Sequence, residues 1–364
     1  MEKIKAFYSK NYKCIHFALP AVVLEIVLII MLNLHIGGFF TILSMTVGVI
    51  CYPWFDFTVY EQTHRYRFVS GVVFSFIIAA CVTVGGIAAY YGIIWAMVSL
   101  VIPVVLMLFF FTMPNNFRIS GVLCPLLFTM GMGVALPVKT MLFMGVLIFL
   151  GGVITAIIYF IYYRFFTNLE RAKGSFYMTP KEILAHISGQ NPRVYRFAIA
   201  LYITAVLAYL TSNYLSQKFH IFIVEDRSYW AAYFVFAMLQ YNNTKEKAYE
   251  RVWHRFFGTI LGILVATPFA LFVHSVIILS VVFVIASIIL FAISFQKITY
   301  LHFAFAANFY VMFLYVLVMK SSSTVLLFRF SETFVAVIWV LIAIAIFWPL
   351  LKWLIPLEKW EDKS

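Results

Sequence analysis

The chain has 364 residues, of which 64% are hydrophobic and 11% are charged, and its formal net charge is +12. Soluble domains are about 45–50% apolar and about 25% charged, so the composition excludes a mainly soluble globular protein. Long, nearly uncharged apolar runs recur from end to end, which is typical of a polytopic membrane protein.

About twelve apolar runs are candidate transmembrane helices. They are longer and more uniformly apolar than the strands of a membrane barrel, and a lipid-exposed helix satisfies its own backbone hydrogen bonds, so the predicted fold is all-α. The predicted spans are 15–35, 38–53, 68–90, 92–113, 119–137, 140–163, 195–215, 229–242, 257–274, 276–294, 299–319 and 330–351.

The lysines and arginines are concentrated on alternate loops. If the N-terminus is cytoplasmic, most of them lie on the cytoplasmic side, as the positive-inside rule requires. Both termini are therefore predicted to be cytoplasmic, and the positive charge needs no nucleic-acid partner. The four cysteines have no paired spacing, so we expect no metal site and no cofactor.

The chain divides into two similar halves. Residues 1–166 and 194–364 each contain six predicted spans, and residues 167–193 form a cytoplasmic connector with a short amphipathic helix. His16 aligns with Arg196 at an offset of 180 residues, and the offset then becomes 190. The duplication predicts two parallel six-helix repeats.

Two of the runs, 38–53 and 229–242, are short for a bilayer and occupy matching positions in the two halves. At 1.5 Å per residue the second covers roughly 21 Å, against a hydrocarbon core of ~30 Å. Paired short helices that end inside the bundle would line a binding cavity. Alternatively, both helices extend through their flanks into the headgroup region.

Short motifs in the second half carry a family resemblance. They are Trp230-Ala231-Ala232, Leu239-Gln240, Arg255-Phe256-Phe257-Gly258-Thr259-Ile260-Leu261-Gly262 and Arg329-Phe330-Ser331-Glu332-Thr333. Together they resemble the fusaric acid resistance and aromatic acid exporter superfamily. Gly258 and Gly262, four residues apart, also predict a face for close helix packing.

The resemblance implies a transporter of the bacterial inner membrane and not an enzyme. Its expected function is proton-coupled efflux of aromatic or other hydrophobic weak organic acids, with a periplasmic membrane-fusion adaptor as partner. Two alternatives stay open: a passive organic-anion channel, and a non-transporting envelope scaffold protein. The sequence also leaves a homo-oligomer open.

Charged residues inside the apolar runs are candidates for the substrate and proton pathway. Glu25 lies in the middle of the first span, where a charge costs about 2.5–3.5 kcal/mol. It is either a proton carrier or a hydrogen-bonded acid that fixes packing. Arg329 and Glu332 are three residues apart and can pair on one helix face. The pair is either static or couples proton binding at Glu332 to anion binding at Arg329.

Four further residues are candidates for the same pathway. Trp230 could stack on an aromatic substrate or anchor its helix at the interface. Gln240 and Asn308 are polar groups in apolar spans that could line the path. His302 is either a proton relay or a simply hydrogen-bonded histidine.

Basic residues occur in equivalent positions of the two halves. On the predicted cytoplasmic side, His254 and Arg255 correspond to His64 and Arg65 at the offset of 190; on the predicted outer side, Lys139 corresponds to Arg329. Both His-Arg pairs either anchor their helices at the interface or form a funnel that concentrates anions.

Overall fold

The structure, a computed structural model, describes residues 2–34, 36, 38–59, 62–112, 118–166, 192–218, 228–240, 245–273, 275–295, 299–319 and 323–350. These residues form helices joined by short turns, and no strand occurs among them. The all-α prediction is therefore confirmed for the described part of the chain. The predicted amphipathic helix of the connector lies outside the described residues.

Seven helices are described in the first half of the chain: α1 (Glu2–Asn33), α2 (Phe39–Thr58), α3 (His64–Tyr90), α4 (Ile93–Ser99), α5 (Val101–Thr112), α6 (Arg118–Met132) and α7 (Val138–Phe166). The described second-half helices are α8 (Pro192–Lys218), α9 (Tyr229–Met238), α10 (Lys245–Phe272), α11 (Val276–Phe295), α12 (Tyr300–Met319) and α13 (Ser323–Ile342), which continues into a π-helical turn (Ala343–Phe347).

Eight described segments are long and apolar enough to cross a membrane. Shorter apolar helical segments are Phe17–Leu32, Ile119–Met132 and Tyr229–Met238. The chain is therefore a multi-pass membrane protein. The count of twelve spans, the side on which the termini lie and the two-repeat arrangement stay predictions.

The two runs predicted to be short differ in the structure. Helix α2 continues through Pro53 to Thr58 and provides an apolar segment of 18 residues, Phe40–Phe57. Helix α9 has only 10 residues, about 15 Å of helix, and Leu239 after it is extended. The predicted end of the first run at residue 53 is therefore wrong, because proline is tolerated inside membrane helices.

One compact unit, called unit 1, consists of Met1–Ala79, Phe143–Ser175 and Phe257–Leu327. Within it, α1 packs against α2 and α11, and α11 packs against α12. Helices that are far apart in the chain therefore share one core. Its buried aromatic residues are Phe17, Tyr52, Tyr159, Tyr163 and Phe291.

The close approach of α10 to α12 in unit 1 depends on two glycines. A Cβ atom added at Gly258 would lie 2.7 Å from the Cβ atom of Ala304, and one added at Gly262 would lie 2.9 Å from that of Asn308. Neither distance leaves room for a larger side chain. The predicted packing face at Gly258 and Gly262 is thus present and is occupied by α12.

The other compact unit, called unit 2, consists of Ala80–Leu142, Phe176–Phe256 and Phe328–Ser364. Here α9 packs against both α6 and α8, and α5 also packs against α6 and α8. Nine of the ten residues of α9 are buried. A helix that is apolar all round belongs inside a bundle, and α9 takes that position in unit 2.

Candidate functional site

The first turn of α9 carries an indole ring that contacts a buried arginine. The guanidinium carbon of Arg329, on α13, lies 3.3 Å from the centroid of the Trp230 ring. Arg329 is 1% exposed and Trp230 is 2% exposed. A guanidinium on the face of tryptophan is the strongest common cation–π arrangement, and its strength increases when water is excluded.

A second buried arginine approaches the same helix. The guanidinium carbon of Arg255, on α10, lies 4.9 Å from the ring centroid of Phe234 and 5.8 Å from that of Tyr233. Arg329 also lies 5.8 Å from the Phe234 ring. The Phe234 ring is therefore approached by two cationic side chains from two different helices.

Glu332 lies one turn after Arg329 on α13 and is fully buried. The hydroxyl of Ser212, on α8, lies 2.5 Å and 2.6 Å from its two carboxyl oxygens. The backbone N–H of Ala231, in the first turn of α9, also donates to this carboxyl group. A carboxylate at this position is favoured by the N-terminal end of the helix dipole.

Arg329 and Glu332, predicted to form a pair, therefore have different described contacts: Arg329 lies on Trp230, and Glu332 contacts Ser212 and Ala231. Both side chains still converge on the first turn of α9. We call the group formed by Trp230, Phe234, Arg255, Arg329 and Glu332 the α9 site.

The α9 site combines the groups that recognise an aromatic carboxylate. A guanidinium grips a carboxylate with two parallel hydrogen bonds, and aromatic faces accept a flat ring. The low dielectric of a buried site strengthens such contacts. Four of the five residues were predicted as candidates from the sequence, and Phe234 was not.

Glu25 lies in unit 1 and is 1% exposed. The hydroxyls of Ser287 on α11 and Tyr310 on α12 are beside its carboxyl group. The sequence predicted that Glu25 is buried and has polar neighbours. It could not indicate which helices supply them.

Asn308 and His302, both on α12 in unit 1, have different environments. The side-chain nitrogen of Asn308 is 3.1 Å from the Thr259 hydroxyl and 2.7 Å from the Ala304 carbonyl oxygen. Asn308 therefore links α12 to α10. His302 is exposed, and its Nδ1 atom is 2.7 Å from the hydroxyl of Thr299.

The remaining predicted residues of unit 2 lie outside the α9 site. His254 is partly exposed, and its Nδ1 atom is 3.7 Å from a carboxyl oxygen of Glu250. Gln240 is half-buried, two residues after the last residue of α9. Lys139, at the start of α7, is exposed. The predicted anion funnel at His254 stays a hypothesis.

Unit 1 contains a buried ion pair that the sequence analysis did not select. The Nε atom of Arg67 is 3.0 Å from Oδ1 of Asp56, and a second guanidinium nitrogen contacts Oδ2. The Arg67 guanidinium also lies 4.1 Å from the centroid of the Tyr163 ring. The available sequence signal was Asp56 itself, an acid within an apolar run, because an acid in such a run needs a partner.

A small pocket adjoins this ion pair, within unit 1. It is lined by Asp56, Arg67, His64, Tyr52 and Tyr159, among others. His64 therefore lies beside the ion pair, whereas its neighbour Arg65 is exposed. The sequence treated these two residues as one basic group, and the structure separates them.

Comparison with known proteins supports the family resemblance. Residues 203–343 match the family described as fusaric acid resistance protein-like. All five residues of the α9 site fall within the matched segment. No curated protein and no solved structure was found to match the chain.

Proposed function

We propose that this chain, which is fusaric acid resistance protein-like over residues 203–343, exports aromatic or other hydrophobic weak organic acids across the bacterial inner membrane. The membrane-spanning helices and the family match support a transporter, not an enzyme. The observation that carries the proposal is the buried guanidinium of Arg329 on the face of Trp230, 3.3 Å from the ring centroid.

In this proposal the substrate carboxylate binds Arg329, and its ring packs against Trp230 or Phe234. Arg255 adds a second positive charge near Phe234. Arginine suits this role because it stays protonated and presents a planar fork of donors. The aromatic faces would select a flat hydrophobic anion over a small hydrophilic one.

Glu332 would couple the export to proton entry. Its carboxyl group is one helical turn from Arg329 and is held by Ser212 and Ala231. An ionised Glu332 repels a substrate anion, and a protonated one does not, so proton binding and anion binding become linked. Glu25 is the second candidate for a titrating group.

The composition of the two units supports the proposed internal repeat. Unit 1 contains α1 and α2 of the first half together with α11 and α12 of the second. Unit 2 contains their counterparts: α8 and α9, with α4, α5 and α6. We propose that each unit is built from helices of both halves of the chain.

A periplasmic adaptor remains part of the functional proposal.

Transport in proteoliposomes tests the function. The purified protein is reconstituted, a pH gradient is imposed, and the flux of fusaric acid, a pyridine carboxylic acid, is measured. We expect Arg329→Ala to abolish flux, because the substrate carboxylate loses its bidentate partner, and Arg329→Lys to retain a fraction. Arg164→Ala, which removes an exposed arginine of α7, is the control and should transport normally.

The same assay separates the competing functions. Flux that dissipates an anion gradient and ignores the pH gradient would identify a channel. Wild-type flux in the Arg329→Ala protein would show that the α9 site does not bind the anion. Absence of flux for every weak acid, with altered envelope integrity in a deletion strain, would favour the scaffold alternative.

A further inference from the structure

Two guanidinium groups of the α9 site lie beside the same phenyl ring. The guanidinium carbon of Arg255, on α10, is 4.9 Å from the Phe234 ring centroid, and that of Arg329, on α13, is 5.8 Å from it. The two guanidinium carbons are therefore no further apart than the sum of these two distances. Arg255 is 3% exposed, Arg329 1% and Phe234 0%, so all three groups are shielded from water.

The helices that carry the two arginines are in contact at the same level. The next residues along α10 and α13 are Phe256 and Phe330, and their ring centroids are 6.3 Å apart. Both arginines thus belong to one packed layer of unit 2, in which α10 and α13 are neighbours. The packing of three helices, α9, α10 and α13, brings the two guanidinium groups to Phe234.

Buried positive charge exceeds buried negative charge in the described part of unit 2, where the buried charged residues are Arg196, Arg255, Arg329 and Glu332. In the proposed export cycle, Glu332 is protonated while the anion is bound, so it then carries no charge. Two cations this close repel each other where water is excluded. A ligand with one carboxylate offsets only one of the two guanidinium charges, whereas a ligand with two carboxylates offsets both.

We propose that the α9 site prefers an aromatic dicarboxylate, with one carboxylate on Arg255, the other on Arg329 and the ring against Phe234. This inference rests on the proposed function, because it names the substrate class of the same site. Each guanidinium supplies a planar pair of donors that fits one carboxylate, and Phe234 offers an aromatic surface to the ligand ring. A monocarboxylic acid such as fusaric acid is then the weaker ligand.

The distance between the arginines selects among isomers of the ligand. Phthalate has its carboxylates on adjacent ring positions, and two bidentate pairs would place the guanidinium carbons roughly 7 Å apart. Terephthalate has them on opposite positions and would need roughly 14 Å. The first separation is below the limit set by the two distances to Phe234, and the second exceeds it. Phthalate should therefore contact both arginines at once, and terephthalate should not.

Isothermal titration of the purified full-length protein in detergent tests this preference. Phthalate, terephthalate and benzoate are compared at one pH and one ionic strength. We expect phthalate to bind more tightly than benzoate, and terephthalate to bind no more tightly than benzoate. Arg255→Gln should weaken phthalate binding about tenfold, because one charge-assisted contact is lost, and should change benzoate binding much less.

Lys247→Gln is the matched control, because it removes one positive charge from an exposed position of the same helix. This variant should bind all three ligands as the wild-type protein does. If Arg255→Gln does not fold, Arg255→Lys decides the question. It keeps the charge but loses the planar fork, so it should reduce the preference for phthalate over benzoate without reversing it.

Three outcomes would overturn the dicarboxylate preference. They are equal affinities for phthalate and terephthalate, phthalate binding no tighter than benzoate binding, and an Arg255→Gln protein in which both ligands are weakened equally. The last outcome would indicate that Arg255 belongs to a site for a single carboxylate. If any of them occurs while fusaric acid flux through the wild-type protein persists, the proposed export stands without this preference. Absence of flux for every acid would instead refute the proposed function.

Discussion

Units 1 and 2 handle buried charge in different ways. In unit 1, Asp56 and Arg67 contact each other through two pairs of atoms. In unit 2, Arg329 lies on the Trp230 ring, while Glu332 contacts Ser212 and the first turn of α9. An acid and an arginine thus contact each other in unit 1. In unit 2, the described contacts of the acid and of the arginine are with other groups.

The difference bears on where an organic anion can bind. A bidentate arginine–carboxylate pair uses the fork that a substrate carboxylate would need. Binding an anion at Arg67 would require Asp56 to leave, and an unpaired buried charge is costly. At Arg329 the described contact is the aromatic face of Trp230. Because the Arg67 fork is taken by Asp56, the proposed anion site is in unit 2.

The inventory of buried charged residues follows the same division. Among the described residues, those of unit 1 are Glu25, Asp56 and Arg67. Those of unit 2 are Arg196, Arg255, Arg329 and Glu332. Acids predominate in the first group and arginines in the second.

The largest expected effect comes from breaking the ion pair of unit 1. Asp56→Ala should lower the free energy of unfolding by about 3–5 kcal/mol, because Arg67 is left buried without its carboxylate. Unfolding in mixed detergent, followed by tryptophan fluorescence, measures the change.

The matched control removes both charges. Asp56→Leu combined with Arg67→Met should recover most of the lost stability, since replacing both partners of a buried pair by apolar residues is often neutral. A double variant as unstable as the sum of the two single variants would contradict the ion-pair explanation.

An intermediate effect is expected from Ser212→Ala in unit 2. It removes the hydroxyl that contacts both carboxyl oxygens of Glu332, and a hydrogen bond to a charged group contributes about 1.5–3 kcal/mol. The same unfolding assay applies. Ser216→Ala, one turn later on α8 and also buried, should have a smaller effect, and equal losses would refute a special role for Ser212.

The smallest effect should follow Trp230→Phe, which keeps an aromatic ring under Arg329 but weakens the cation–π contact. We expect a loss of about 0.5–2 kcal/mol in the free energy of unfolding. We also expect a lower flux of the aromatic acid in the transport assay. Trp54→Phe in unit 1 is the control, since Trp54 contacts Phe291 and Phe303. A loss of stability without a loss of transport in the Trp54→Phe protein would confirm the contrast between the units.

Much of the α9 site could be predicted because its chemistry is unusual for its surroundings. Trp230, Arg255, Arg329 and Glu332 stand out as charged or motif residues in an apolar chain. Ser212 carried no such signal, because serine is common in membrane helices. The partners of Glu25 were equally invisible: Ser287 and Tyr310 are far along the chain, and only packing brings them to α1.

Helix lengths are a second feature that the sequence predicted only in part. The sequence predicted two matching short helices, ending near Tyr52 and Asn242. Pro53 does not end α2, which continues to Thr58, whereas α9 ends at Met238. Proline removes a hydrogen bond but leaves φ compatible with a helix, and neighbouring groups in the bundle can satisfy the released carbonyl.

The sequence by itself determined that this protein is helical and lies in a membrane. Apolar runs of this length leave the backbone no hydrogen-bond partner except itself. It also identified most of the buried charges. Tertiary structure alone decided which groups those charges contact. Spacing along a helix allows Arg329 and Glu332 to pair, yet the positions of α8 and α9 give Glu332 a hydroxyl and a helix end, and Arg329 an indole ring.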